Sequence, residues 1–502
     1  MKILLKGFVC APDFSGISRQ TVLIENDRII AVEKDIYGSS AADKVYSFKD
    51  EIIAPGFIDA HGHSDLSALA SPAGESKAVQ GITAEVCGNC GLSPFPVTGN
   101  NRLHLEELYC NYGIPLDWHD HTSYMEMVRK NPLALQLIAL CGHNTLRAAV
   151  AGYEKRELSG REIDEMCRLL QEQLSGGAAG LSSGLLYVPG CFAEPDELLA
   201  LMRVIARNNK VYTTHLRSEG DKLLESLEET LELARKSGLK KVLISHLKTA
   251  GKDNFSKLAP ALEMIADYRS LGIDVRFDRY PYTESQTMLS VVLGEAYSAY
   301  GDSELAALLA KPQEHLRAVE HLRTLRDENY WSTRRLAGTR AGKYRKFQGM
   351  RFSEIPFDPA ELVVDILQCN APDSTVAAAS MSESNMLQII SHDLCLFGSD
   401  GNALPADERF GRPHPRSWGS APHFARLLLD KGMAIEKVCR KLAGDAAEFF
   451  ALENQGKIAP GQLADITVFS PENIDSAADF GDPCQVPQGI TCVFKSGRSN
   501  HF

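Results

Sequence analysis

The stretch Ala54–Leu66, APGFIDAHGHSDL, carries an apolar run straight into His-Gly-His and then Asp. If it is a strand, His61 and His63 point to the same face, because side chains alternate with a period of two. Two imidazoles on one face at a strand end make half of a metal site. The other half has to come from elsewhere in the chain.

Runs of the same texture recur: IIAPGFIDAHGH, ITAEVCGNCG, LALQLIALCGH, AGLSSGLLY, KVYTTHLRSE, KKVLISHLK, DVRFDRYPY and LCLFGSDG, eight in all. Helical patterns lie between several of them. DELLALMRVIARNN, LLESLEETLELARKSG and LAPALEMIADYRSLG place apolar residues three and four apart, and the last two end in Gly, a common residue just past a helix C-terminus. Eight strands alternating with helices predict an α/β fold, a parallel (β/α)8 TIM barrel. An open doubly wound sheet is the competing topology.

Two regions break the alternation. Residues 1–54 read as short strands and turns, and so does the tail 451–502, with GKIAPGQLADITVFSP and GITCVFKSGR. The two ends are expected to pair into one small β-sandwich, leaving 55–450 as the barrel. The second break is an insertion at about 284–390, far longer than an ordinary βα loop. Its basic run RRLAGTRAGKYRKF reads first as solvated surface, and alternatively as a lid, since long barrel loops often cover active sites.

Composition excludes several classes. A net charge of -12 argues against nonspecific nucleic-acid binding, which needs a basic face. No segment approaches the ~18 consecutive apolar residues of a membrane span, and the N-terminus lacks the features of a signal peptide. The 12 cysteines therefore read as reduced thiols of a cytoplasmic protein. Oligomeric state is left open.

Chemistry gathers at the C-terminal ends of the apolar runs: His61 and His63, Cys87 and Cys90, His215, His246 and Asp400. In a barrel those ends share one face. One strand-end histidine alone would read as a capping or core residue, and His143 in LCGHNTLR is read that way. Several together with a thiolate and a carboxylate form a ligand set suited to zinc. Their dispersal over many strands argues against a zinc finger, whose ligands cluster locally.

On these residues the chain resembles the amidohydrolase superfamily: APGFIDAHGHSD, THLRSE, ISHLK, GSDG and the tail GKIAPGQLADITVF carry the likeness. Within it, GNCG, GLSSGLLYVPG, YPY and HPRSWG resemble the N-acyl-D-amino-acid deacylases (D-aminoacylases). The resemblance implies one tightly bound Zn2+ on Cys90, His215 and His246, and a second, weaker metal position at His61, His63 and Asp400. It makes Asp400 the catalytic acid/base and Cys87 a mere core thiol. Arg416 would bind the substrate α-carboxylate, with Lys248, Tyr280, Tyr282 and Tyr187 contacting substrate. For the tyrosines, packing at the barrel rim is the competing reading. The substrate implied is a small N-acyl-D-amino acid.

The chain departs from the family after YPY and in the loop NALPADERFGRPHPR. No Arg or Lys lies between Glu284 and Asp302, which tilts the expected side chain toward neutral or apolar. The rival activity is a cyclic-amide hydrolase of the dihydroorotase or hydantoinase type, which normally uses a bridging lysine. A non-catalytic scaffold would require ligand loss, and a deaminase is a weaker third.

Overall fold

In the computed structural model, which describes residues 1–34, 42–297, 300–369 and 374–501, the chain begins with strands β1 (Lys2–Cys10), β2 (Ile17–Glu25), β3 (Arg28–Glu33) and β4 (Lys44–Pro55). It then enters β5 (Phe57–Asp59), β6 (Ile82–Cys87), β7 (Gln136–Ala139), β8 (Cys141–Gly142), β9 (Gly180–Gly184), β10 (Val211–His215), β11 (Lys241–Ile244) and β12 (Asp274–Arg279). Strands β13 (Glu284–Met288), β14 (Arg334–Gly338) and β15 (Thr375–Ala379) follow, then β16 (Cys395–Phe397), β17 (Ile466–Phe469), β18 (Ile490–Lys495) and β19 (Arg498–His501).

Both chain ends enter one seven-stranded sheet, ordered β19-β18-β17-β4-β1-β2-β3. Alternation along β4 and β17 gives it two apolar faces. Ile53, Ile466 and Val468 join a core with Ile3, Leu5, Val22 and Phe494. Ile52, Ala54 and Phe469 face the other way, onto Phe424, Leu428 and Val438.

The parallel strands settle the choice between barrel and open sheet. Two ladders run β5-β6-β7 and β8-β9-β10-β11-β12-β16. An open sheet has two edges; here the ladders meet at both. Strands β7 and β8 flank Leu140, with Ala179 N–H donating to the Ala139 carbonyl at 2.9 Å. At the other junction, Ala60 N–H donates to the Phe397 carbonyl (2.9 Å), and Gly62 bridges Gly401 in parallel. The order closes as β5, β6, β7 with β8, β9, β10, β11, β12, β16 and back to β5: a (β/α)8 barrel.

The helices form where the periodicity places them, at Pro195–Arg207, Leu223–Ser237 and Leu258–Ser270. The second ends against Gly238, whose φ of 76° is left-handed and favours glycine. Leu198, Leu201, Ile205, Leu227, Leu231, Ala261 and Ile265 pack on Leu181, Tyr212, Val242 and Val275 of the strands.

The insertion folds around its own core of Leu289, Leu293, Leu309, Leu322, Phe352, Val363 and Ile366, beside an antiparallel sheet ordered β13-β15-β14. The basic run is only partly solvated. Lys343 is exposed, but Arg335 on β14 pairs with both oxygens of Glu284 on β13, each at 2.8 Å.

Candidate metal centre

Strand β5 stops at Asp59, so His-Gly-His lies just beyond its end rather than within it. The local chain stays ordered because His63 N–H donates to Gly401 O (3.0 Å) and Asp400 N–H to His61 O (2.7 Å). The glycine between the histidines is a matter of room: a Cβ on Gly62 would stand 2.2 Å from Glu85 Cδ. Gly91 of GNCG is constrained twice, by a φ of 78° and by Asn144 Oδ1, 2.0 Å from where a Cβ would sit.

The strand-end donors lie together. His61 Nε2 is 3.4 Å from Cys90 Sγ and 3.7 Å from Asp400 Oδ1. His63 Nε2 is 3.0 Å from Asp400 Oδ1, and His246 Nε2 is 3.5 Å from Cys90 Sγ. Two overlapping groups result, His61, His63, Cys90 and Asp400, and Cys90, His215 and His246. In each, the ligand atoms all lie within 4.8 Å of one another, and Cys90 belongs to both. Separations of 3.4–3.7 Å are those of tetrahedral donors about 2.0–2.3 Å from a common ion.

Three of these donors sit on left-handed backbone: Cys90 (φ 52°), His246 (φ 36°) and Asp400 (φ 52°). Such conformations cost about 1–3 kcal/mol each in non-glycine residues and persist where surrounding structure enforces them. Here Asp278 Oδ1 takes the His246 N–H at 2.9 Å, and the Asp400 N–H is held as described.

Donor chemistry and electrostatics both suit a divalent cation. Burial pushes the Cys90 thiol up, but His61 and His246 outweigh it and hold its pKa well below the usual thiol value. Burial likewise raises Asp400, yet Arg416 beside it keeps the carboxyl well below its ordinary range. Burial lowers His61, but Asp278 and Cys90 carry it well above normal, so the pocket favours positive charge. Both ring nitrogens of buried His215 lack a hydrogen-bond partner among the described residues, and a bound ion would satisfy one of them.

The remaining expected site residues divide. Lys248 Nζ lies 2.9 Å from Glu219 Oε2 and 5.8 Å from the Tyr280 ring centre. Arg416 Nη1 is 2.7 Å from Asp400 Oδ2, and its guanidinium lies 4.9 Å from the same ring. The Tyr280 hydroxyl is buried without a hydrogen-bond partner among the described residues. Burial raises its pKa, but Lys248, Arg279 and Arg416 bring it to about 8. Tyr187 packs edge-on to His215, with ring centres 4.9 Å apart. Tyr282 instead packs beside His414 and His423 at the rim. His143 pairs with Glu197 at 2.8 Å, a structural role. Cys87 is fully buried in the barrel core.

With this geometry in hand, residues 44–500 match the model of the amidohydrolase family. The chain belongs to the amidohydrolase family. It is 32% identical to an N-acyl-D-glutamate deacylase of Alcaligenes xylosoxydans xylosoxydans, over 95% of this chain and 89% of that protein. It is 30% identical to a D-aminoacylase of the same organism, over 94% and 89%. A crystal structure of N-acyl-D-glutamate deacylase from Bordetella bronchiseptica, complexed with zinc and a phosphonate inhibitor that mimics the tetrahedral intermediate, superposes with a TM-score of 0.83 at 27% identity. That match covers 99% of this chain and 96% of the other.

Several residues of this amidohydrolase that sequence reasoning left unassigned support the donors. Asp278 Oδ2 lies 3.1 Å from His61 Nδ1, leaving Nε2 for the cluster. Glu219 lies 2.8 Å from His246 Nδ1. His414 accepts the Arg416 N–H at Nδ1 (2.9 Å), so its Nε2–H donates to the Glu284 carbonyl (3.1 Å), tying β13 to the Arg416 turn. Each is a polar residue in or after a quoted run, but a partner that defines its role lies in another element, 217 positions away for Asp278 and 130 for His414. For Asp278 the available signal was a carboxylate interrupting an apolar strand, in RFDRY.

Proposed function

We propose that this protein is a zinc-dependent amidohydrolase that cleaves the linear amide of N-acyl-D-amino acids, releasing a carboxylate and a free D-amino acid. The observation that carries this reading is the shared Cys90 between two donor groups, with Asp400 facing both Arg416 and the histidines. Cys90, His215 and His246 would hold the tighter ion, and His61, His63 and Asp400 the weaker position. Bound there, zinc would polarise the acyl carbonyl and lower the pKa of water from about 15.7 to about 7.

The chain supplies the rest. Asp400, kept ionised by Arg416, accepts a proton from the attacking water. It then delivers that proton to the departing nitrogen, which cannot leave as an anion. Arg416, Lys248 and Tyr280 form a cationic, hydrogen-bonding wall for the α-carboxylate, opposite the donors. Tyr187, beside His215, borders the acyl side. The Glu284–Met288 strand, which approaches this wall through His414, carries no Lys or Arg, so a neutral or apolar side chain is the proposed preference.

The cyclic-amide alternative normally needs a bridging lysine. Lys77 is committed to Asp59 (2.6 Å) and Glu85 (2.9 Å), and Lys248 to Glu219, which leaves the thiolate to take that place. A panel of N-acetyl and N-formyl D- and L-amino acids, alongside hydantoins and dihydropyrimidines, read by amine release, tests the proposal. Turnover of cyclic amides without turnover of the D-series would overturn it.

A further inference from the structure

We propose that Glu219 is a positioning residue that couples metal retention to recognition of the substrate carboxylate; this rests on the function proposed above. Glu219 follows His215 by four residues, in the loop after β10, and its side chain is 13% exposed. Its two oxygens are divided between two tasks. Oε1 lies 2.8 Å from His246 Nδ1, while Oε2 lies 2.9 Å from Lys248 Nζ and 3.5 Å from His215 Nε2. The backbone joins in, since Ala250 N–H donates to the Glu219 carbonyl at 2.7 Å. The loops after β10 and β11 are thereby one unit.

Each contact has its own consequence. A carboxylate beside Nδ1 favours the tautomer protonated on that side by charge alone, without an aligned hydrogen bond, and so leaves a lone pair at Nε2, which in His246 faces Cys90 Sγ at 3.5 Å. Lys248 is a flexible chain with a point charge at its end. Held by Glu219, its ammonium stays near Tyr280 and over the wall proposed for the α-carboxylate. Asp278 makes the instructive contrast. It serves His61 Nδ1 and the His246 N–H, both on the metal side, and its side chain has no partner on the substrate side among the described residues. Glu219 alone of the two carboxylates spans both.

The test uses the zinc-loaded enzyme and the variants Glu219→Gln, Lys248→Met and their combination. Partners that orient a ligand histidine typically change metal affinity ~10–100-fold. Glu219→Gln is therefore expected to weaken zinc retention by that order, measured by competition with a chromophoric chelator. At saturating zinc it should raise KM for an N-acetyl-D-amino acid more than it lowers kcat. In the Lys248→Met background the KM effect of Glu219→Gln should vanish while the loss of zinc affinity remains. Lys248→Met alone should raise KM and leave zinc affinity unchanged, a prediction that stands even if Glu219→Gln fails to fold. An undiminished KM effect in the double variant, or zinc affinity unaltered in Glu219→Gln, would overturn the coupling. Wild-type protein that retains no zinc, or hydrolyses no N-acyl-D-amino acid, would instead sink the proposed function and this inference with it.

Discussion

Two buried charge clusters share the barrel end where β5, β6 and β16 meet, and they are built on opposite terms. In the first, Lys77 Nζ reaches Asp59 (2.6 Å), Glu85 (2.9 Å) and Ser399 Oγ (2.8 Å). Glu85 also takes the Ser64 N–H (2.8 Å) and hydroxyl (2.7 Å), and all three charged side chains are fully buried. In the second, His215 has no hydrogen-bond partner among the described residues, and three donors sit on left-handed backbone. The saturated cluster holds the wall: Asp59 takes the N–H of His61 and of Ser399, gripping the chain on either side of the barrel seam. The unsaturated cluster carries capacity for a ligand. Buried polar groups left unsatisfied are costly, so their persistence marks the place where something else completes them.

The sharpest break in that contrast is Asp400→Asn. The amide is nearly isosteric, so melting should change little, while turnover should fall by ~10²–10⁴, the usual contribution of general acid–base catalysis. Near-native turnover would move the base elsewhere.

Lys77→Met should do the reverse. Removing one partner of a buried ion pair typically costs about 3–5 kcal/mol, because the charge left behind is uncompensated. The sign with pH follows from Glu85, whose carboxyl burial pushes up. A carboxyl with a raised folded-state pKa is tolerated when protonated and opposes folding once ionised. The deficit of Lys77→Met should therefore be small below the ordinary carboxylate pKa and grow as pH rises through the raised value. Urea titrations at acidic and alkaline pH read this directly; a deficit that grows toward acid would refute the assignment.

The sequence made one side of this contrast readable and hid the other. Each metal-type donor terminates an apolar run, and eight such runs imply one converging face, so His61, His63, Cys90, His215, His246 and Asp400 could be gathered without coordinates. The barrel was readable for the same reason, its strands and helices having distinct periods. Lys77, Asp278 and Glu219 were not, because periodicity does not say which buried charges pair: Asp278 is 217 positions from His61, and even Asp59, 18 positions from Lys77, is marked as its partner by nothing in the pattern. The internal sheet of the insertion was equally hidden, since β13 and β15 pair across a long intervening segment. The basic run looked like solvated surface because nothing in its composition foretells the Arg335–Glu284 pair.

Metal removal tests the capacity of the unsaturated cluster. A ligand that binds only the folded chain stabilises it by about 2.7 kcal/mol at one hundred times its dissociation constant. Stripping the protein with a chelator and restoring zinc to that level should recover about this much in wild type. It should recover much less in Cys90→Ala, which removes the donor common to both groups. Equal recovery in the two proteins would show that the ion binds elsewhere.

The smallest effect expected is also the most discriminating, and it concerns the residue that borders the cluster from the substrate side. Arg416 Nη1 forms an ion pair with Asp400 Oδ2 at 2.7 Å, yet it has no aligned hydrogen-bond partner among the described residues. A structural pairing with its acidic loop neighbours is ruled out by geometry, since Asp407 pairs with Arg409 at 3.6 Å and Glu408 with Arg412 at 2.9 Å. Two roles remain: holding Asp400, or sharing its planar fork between Asp400 and the substrate α-carboxylate. Arg416→Met separates them. Hydrogen bonds between charged groups are worth about 1.5–3 kcal/mol. If the fork binds substrate, kcat/KM for N-acetyl-D-amino acids should therefore fall about 10–100-fold further than for their uncharged α-amides. If Arg416 only holds Asp400, both substrates should lose alike, because both depend on the same base. The second outcome would leave Lys248 and Tyr280 to recognise the carboxylate, and would make the Arg416–Asp400 pair a piece of the saturated kind after all.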